Sequence, residues 1–338
     1  MGEILKDLQS KKYGSVFESI KLVPAQFESA LTQDVKFPPS YKSVKSIVLC
    51  GMGGSALGAH VLKALDMTKV PFLFYNGYVP PKFVAKDTLF IASSYSGNTE
   101  EVLSSVDFAE KKGAKIVVVA AGGKLQIKAK KKNYPIILFD TKSNPSGQPR
   151  CGVGYALGAL FNIFIKLDLV EYKMEYIEGL LRDLKAPSVN KAEALAKELK
   201  DTMPIIVASE FLEGNAHILV NQINETAKTF SELHSIPELN HHLLEGLKRP
   251  EANKKQLRFL FLESDLYSPK NIKRFQITKE VISKNKVAIS SYKAKGKTRM
   301  AQILDVLMFC SLVSLVLAIM YKESPTAIPW VDYFKSKL

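Results

Sequence analysis

Residues 92–101 read ASSYSGNTEE. Hydroxyls on Ser93, Ser94, Ser96 and Thr99 surround a single glycine, Gly97, between the apolar run DTLFI and a helical-looking stretch. One hydroxyl is enough to cap a helix, and one glycine is enough for a tight turn. Four hydroxyls beside the unpaired N–H groups of a helix start fit a bound anion, because those donors and the positive end of the helix dipole hold a phosphate. A second stretch, GMGGSA from Gly51 to Ala56, follows another apolar run and matches the G-x-G-x-x-A spacing of dinucleotide sites. A nicotinamide cofactor also needs a carboxylate ending the second strand to hold its ribose, and PFLFYNGYV has none. Ser55 offers a hydroxyl at that helix start instead. Two anion-binding helix starts after neighbouring strands converge on one phosphate rather than on a dinucleotide. The later KAKGKTR stretch is no nucleotide P-loop, since Ser291 stands where the first glycine is required.

The elements that must position these loops are legible as strands alternating with helices. VKSIVLC, PFLFYNGYV, DTLFIASS, AKIVVVAA and YPIILFD are near-continuous apolar runs, as strands buried on both faces are. Helical patterns lie between them, which predicts a parallel sheet covered on both sides. The second half repeats the plan. MPIIVASEFLEGNAHILVNQINETAK matches the first strand, turn and helix; KQLRFLFLESDLYSPKNIKRF matches the strand of the hydroxyl loop; VAISSY matches AKIVVVAA. The offset, about 155 residues, suits a tandem duplication of one domain. In the copy the hydroxyl loop has become ESDLYSP, so one anion site per chain is expected, in the first half. The expected division is a helical segment over 1–44, a first domain over 45–175 and a second over 176–338.

Bulk composition narrows the class. A chain of 338 residues favours two domains, and 46% hydrophobic with 24% charged residues is ordinary for a globular protein. The net charge of +14 comes from 47 basic and 33 acidic residues, mostly scattered. No nucleic-acid motif accompanies them, so no nucleic-acid partner is expected, and the field favours small anionic substrates. Cys50, Cys151 and Cys310 lie far apart in apolar surroundings, without metal-site spacing, and are expected as reduced core thiols of a cytoplasmic protein. The N-terminus has no apolar signal core. The apolar run Val306–Tyr321 is shorter than a membrane span, which needs roughly 20 residues; it is expected to be buried in a domain core or a subunit interface.

In order along the chain, CGMGGS, SYSGNTEE, NPSGQPR, NQINETAK, ELNHH and the final SPTAIPWVDYFKSKL resemble the bifunctional phosphoglucose/phosphomannose isomerases, built from tandem SIS (sugar isomerase) domains. The resemblance runs from about residue 45 to the C-terminus, and its last three motifs belong to the isomerase branch. It implies two flavodoxin-like, doubly wound α/β domains. It also implies an aldose–ketose isomerase of glucose 6-phosphate, and of mannose 6-phosphate, with fructose 6-phosphate, using neither metal nor cofactor. By match to the family, the phosphate falls to Gly53, Gly54, Ser55, Ser94, Ser96 and Thr99. Glu225 carries the proton between C1 and C2, and a carboxylate raised towards working pH suits that task. Arg150 faces the developing enediolate as a fixed cation. His241 opens the sugar ring, reaching the site from the partner chain of a homodimer, and Lys335 assists at the ring oxygen. Thr326 lies in a stretch linked to accepting the mannose epimer. The chain departs from the family where it reads Asn240-His241-His242, with a histidine in place of the usual second Asn, and at His217, where many relatives have Arg. A SIS-domain regulator that binds sugar phosphate without turnover is the alternative. It would need only the hydroxyl loop, whereas the full set of Glu225, Arg150, His241 and Lys335 favours the enzyme.

Overall fold

The computed structural model describes residues 2–337, and the chain divides into two units: Leu22–Leu184, and Met1–Lys21 together with Lys185–Leu338. In the first unit β1 (Ser46–Cys50), β2 (Phe72–Tyr75), β3 (Thr88–Ser94), β4 (Lys115–Ala120) and β5 (Ile136–Leu138) form one parallel sheet in the order β2-β1-β3-β4-β5. Val48, Cys50, Phe90, Ala92, Val118 and Ala120 point to one face and pack with Val102, Val106, Leu125 and Ala129 of the helices Glu100–Lys111 and Gly123–Lys132. The alternate residues Ile47, Leu49, Leu89 and Ile91 are just as buried, which is why the strands read as unbroken apolar runs. The helix Val153–Lys166 meets β2 through an edge contact between Phe164 and Phe72 and packs against the helix Val23–Leu31 through Phe161 and Phe27.

In the second unit β6 (Met203–Ala208), β7 (Glu232–Ser235), β8 (Leu257–Glu263) and β9 (Ala288–Lys293) form a parallel sheet in the order β7-β6-β8-β9. That order repeats β2-β1-β3-β4 strand for strand, as a duplicated doubly wound domain requires. Among the described residues β5 has no copy, because after β9 the chain enters the helix Arg299–Met320. β7 was not evident in the sequence: ELHS is four residues long and mostly polar, too short to show a period.

The N-terminal segment is shared between the units rather than standing alone. The helices Glu3–Leu8 and Gly14–Lys21 pack on the helix Arg299–Met320, whereas Val23–Leu31 packs on Val153–Lys166. Each is a short amphipathic helix that gains stability only by burying its apolar face. The units separate between Leu184 and Lys185 rather than near residue 175, because the helix Met174–Asp183 packs on Val23–Leu31.

The helix Arg299–Met320 holds the apolar run. It is long and apolar enough to cross a membrane, but 89% of its apolar window is buried inside the fold. The helices Val189–Leu199, Glu213–Ala227 and Gly14–Lys21 of the same unit cover it. Its composition is therefore explained without a subunit interface, which removes the burial of this helix as a reason to expect a dimer. All three cysteines are free and buried, and burial pushes the Cys50 and Cys310 thiols up.

Candidate active site

β1 and β3 are neighbours in register, with Cys50 opposite Ala92, and their C-terminal ends release the two loops predicted to hold phosphate. From β1 the chain leads to β2 on one side of the sheet, while β3 lies on the other side. The loops therefore leave at the switch point of the sheet, where such folds bind ligands. Ser55, in the 3-10 turn Gly53–Ala56, joins the loops: its Oγ accepts the Tyr95 N–H at 2.8 Å, and its carbonyl accepts the Ser93 hydroxyl at 2.8 Å. Ser94 Oγ and Thr99 Oγ1 share a hydrogen bond of 2.7 Å, and Ser94 Oγ also accepts the Gly97 N–H. One proton of the Ser94–Thr99 pair is used between them, which leaves the other to give to an anion. Thr99 stands at the N-cap of the helix Glu100–Lys111 without capping it, so its hydroxyl is not spent on the helix. Ser96 is exposed and accepts the Asn98 N–H at 3.2 Å. Glu100 and Glu101 lie in the first turn of that helix and take up part of its positive end.

Arg150 is brought to the same place. It sits in the 3-10 turn Pro149–Cys151 and is only 1% exposed, an unusual burial for a guanidinium. A Cβ on Gly54 would lie 2.7 Å from the Arg150 backbone nitrogen, so the glycine is what lets the first phosphate loop lie against the arginine's turn. Gly53 has φ of +48°, and nothing lies within 4 Å of where its Cβ would stand. The Arg150 guanidinium Nη1 donates to Gln148 Oε1 at 2.9 Å. Gly53, Gly54, Ser55, Ser94, Ser96, Thr99 and Arg150 thus belong to one unit, in which Gly54 and Ser55 line a small cleft together with Ser93, Tyr95, Phe139 and Pro149.

The remaining expected residues belong to the other unit. Glu225 is half-buried near the C-terminal end of the helix Glu213–Ala227, and the Lys228 ammonium donates to the backbone carbonyls of Glu225 and Ser324. His241 and His242 are both exposed, at the end of a 3-10 turn whose Asn240 is fixed: its amide donates to Thr278 Oγ1 at 2.7 Å and accepts from Arg274 at 3.3 Å. Thr326 Oγ1 lies 3.5 Å from Ser324 Oγ, and Lys335 is exposed at the end of the helix Pro329–Lys335.

The duplicated loop is occupied by the chain itself. Glu210 opens the turn after β6, as Gly53 opens the turn before the helix Leu57–Leu65, and both have φ of +48°. The Glu210 carboxylate accepts the Ser268 N–H and the Asn271 amide, each at 2.8 Å, at the start of the helix Pro269–Lys284. An internal carboxylate thus takes donors at the start of this helix, whereas Thr99 at the N-cap of the equivalent helix in the first unit makes no capping bond. Ser268 caps its helix and Ser264 donates to Gln302, so these hydroxyls are engaged in structure. Sequence reasoning missed Glu210, as it missed the buried residues Gln26 and Asn144 that frame the Arg150 loop. Asn144 lay within the NPSGQPR motif, but nothing in the sequence marked Gln26, whose partners are over a hundred residues away.

Residues 188–338 match the family of bacterial phospho-glucose isomerase C-terminal SIS domains. The chain is 32% identical over 342 residues to a bifunctional phosphoglucose/phosphomannose isomerase of Caldicellulosiruptor bescii, covering 96% of this chain and 98% of that protein. It is 30% identical to the enzyme of the same name from Aquifex aeolicus, covering 87% and 90% of the two chains. Among solved structures, a glucosamine-6-phosphate deaminase of Thermotoga maritima superposes with a TM-score of 0.70 at 15% identity, covering 95% of this chain and 98% of that one. At that identity the likeness speaks for the fold alone.

Proposed function

The chain belongs to the bifunctional phosphoglucose/phosphomannose isomerase family, and from that premise we propose that it interconverts glucose 6-phosphate and mannose 6-phosphate with fructose 6-phosphate. It is an aldose–ketose isomerase with a SIS domain. The observation that carries the substrate reading is that Ser55, Ser94 and Thr99 lie on the two linked loops at the switch point of the first sheet, with the turn of a buried arginine against the first of them at Gly54. The hydroxyls and N–H groups anchor the C6 phosphate. His241 and Lys335 serve ring opening, which needs a proton given to the ring oxygen and one taken from the anomeric hydroxyl. Glu225 then takes the C2 proton of the open aldose. The electron pair left behind forms the C1–C2 double bond of a cis-enediolate, whose charge Arg150 faces. Return of the proton to C1, with transfer of a hydroxyl proton from O2 to O1, completes the ketose. Each step uses side chains alone, so we infer that neither metal nor cofactor takes part. We place the enzyme in the cytoplasm, in keeping with its three free, buried thiols, and infer a homodimer in which His241 serves the partner's site.

The test is a coupled assay on both hexose phosphates with EDTA present. Glu225→Gln keeps the shape but cannot take a proton, so kcat should fall by about 10²-fold or more while binding of an unreactive sugar phosphate holds. In D₂O the wild type should leave deuterium at C2 of recovered glucose 6-phosphate. Near wild-type kcat in E225Q would move the proton transfer to another group. Binding without turnover in the wild type would make the protein a sugar-phosphate sensor, and loss of turnover in EDTA would bring in a metal. Hybrid dimers of E225Q and H241A chains should regain activity; inactive hybrids would place both groups in one chain's site.

A further inference from the structure

We propose that Tyr95 and Asn144 are a positioning pair that ties Arg150 to the phosphate loop, so that the anion's seat also sets the place of the guanidinium. Tyr95 lies between Ser94 and Ser96, and its ring packs on Phe139 with its hydroxyl at Asn144. Its backbone N–H is held by Ser55 Oγ at 2.8 Å, so the residue moves with both phosphate loops. Its hydroxyl accepts from Asn144 Nδ2 at 2.9 Å, and the same nitrogen donates to the Gln148 carbonyl at 2.9 Å. Gln148 in turn accepts the Arg150 guanidinium through its side chain at 2.9 Å. A continuous path therefore runs from Ser55 through Tyr95, Asn144 and Gln148 to Arg150, every step a hydrogen bond within one unit.

The path is built to be stiff. Asn144 is 2% exposed, and its Oδ1 accepts the Ser146 hydroxyl at 2.7 Å, which fixes the orientation of its amide. Gln26 clamps the loop from the other side: its amide donates to the Ser143 and Cys151 carbonyls and accepts the Gly154 N–H, bracketing Arg150. The Tyr95 ring packs on Phe139, which stacks on Tyr155, whose hydroxyl accepts the Ser143 N–H. A buried network with satisfied members holds one geometry, and a cation that must face developing charge works only in that geometry.

This rests on the isomerase reading of the site, and the experiment separates the two. Tyr95→Phe removes one hydroxyl and keeps the ring; Asn144→Ala removes the other half of the pair. Two dissociation constants are measured for each variant and for Arg150→Ala: that of inorganic phosphate, and that of a sugar-phosphate hydroxamate that imitates the enediolate. Y95F should bind phosphate within about twofold of wild type, bind the hydroxamate about tenfold more weakly, and lose kcat by a similar factor at nearly constant KM, the scale expected for a displaced catalytic group. N144A should behave alike, and the double variant should lose little more than either single one. A merely structural role would lower both affinities together and would not alter their ratio. If Y95F keeps the wild-type ratio while R150A lowers it, the pair does not position the arginine and the proposal is overturned. If R150A also keeps the ratio, the assignment of Arg150 falls and the proposal falls with it. If the wild type proves inactive on both hexose phosphates, the ratio still decides the proposal while the isomerase reading is lost.

Discussion

At the scale of single residues, the two turns that share a φ of +48° differ in what their side chains do. Where the chain has Gly53 nothing lies within 4 Å of a would-be Cβ, and where it has Glu210 the carboxylate takes the Ser268 and Asn271 donors. A left-handed conformation costs a non-glycine residue about 1–2 kcal/mol, so Glu210 is held there by its two hydrogen bonds. Replacing it by Ala removes the bonds and keeps the strain, whereas Gly removes both. In urea unfolding, E210A should be less stable than E210G by about 1 kcal/mol; equal stabilities would show that the turn relaxes. In the open site, Thr99→Ala removes a hydroxyl from a charged ligand, worth about 1.5–3 kcal/mol. KM and the inhibition constant of inorganic phosphate should both rise by about tenfold or more, with little change in Tm. An unchanged phosphate affinity would take Thr99 out of the site.

At the scale of elements, the Arg150 loop is only as well placed as the helix pair that follows and precedes it. The helices Val23–Leu31 and Val153–Lys166 approach so closely that a Cβ on Gly158 would lie 2.0 Å from the Phe27 carbonyl oxygen. Gly158→Ala cannot be absorbed by a rotamer change, because the obstacle is backbone. It should cost about 3 kcal/mol, at the upper end for overpacking, read as a fall in the urea midpoint at constant slope. A variant as stable as wild type would mean that the helices part without cost. The first of these helices carries Gln26 and the second carries Gly154, whose N–H Gln26 accepts, so activity should fail with the fold in G158A but ahead of it in Y95F.

At the scale of the whole molecule, stability should depend on pH through two histidines of one unit. Burial holds the His217 and His234 pKa values below the usual histidine range, and His217 Nε2 lies 3.2 Å from the Asn221 amide nitrogen, from which its neutral form can accept. Below about pH 6.5, the usual histidine value, the unfolded chain takes up protons that these folded rings resist. Stability is therefore full above that pH and declines as pH falls through the folded values. The carboxylates held low by lysines, such as Glu110 beside Lys132, lose their contribution only at more acid pH, so the window from pH 7 to 5 isolates the histidines. Urea midpoints should drop between pH 7 and 5, and H217Q should flatten part of that drop. A midpoint that rises on acidification would contradict the burial account.

What the sequence determined by itself is what depends on short-range pattern. Unbroken apolar runs between helical stretches gave the two parallel sheets except for the short polar strand β7, because strands covered on both faces cannot alternate. The repeated run of strand, turn and helix gave the duplication, and the hydroxyls crowded at the end of β3 marked the loop for which an anion is proposed. Tertiary structure decided what depends on contacts between distant residues. Which unit each N-terminal helix joins follows from the apolar face it finds, and Leu8 and Phe27 look alike in sequence although they serve different cores. The apolar run at 306–321 carries no sign of what covers it, since a core helix and an interface helix have the same composition. Glu210 is an ordinary glutamate until its backbone turns left-handed and brings it to the start of the helix Pro269–Lys284. Gln26 and Asn144 show the same limit: a buried amide is selected for the few carbonyls and N–H groups it meets, and those partners are set by the fold rather than by the neighbours in the chain.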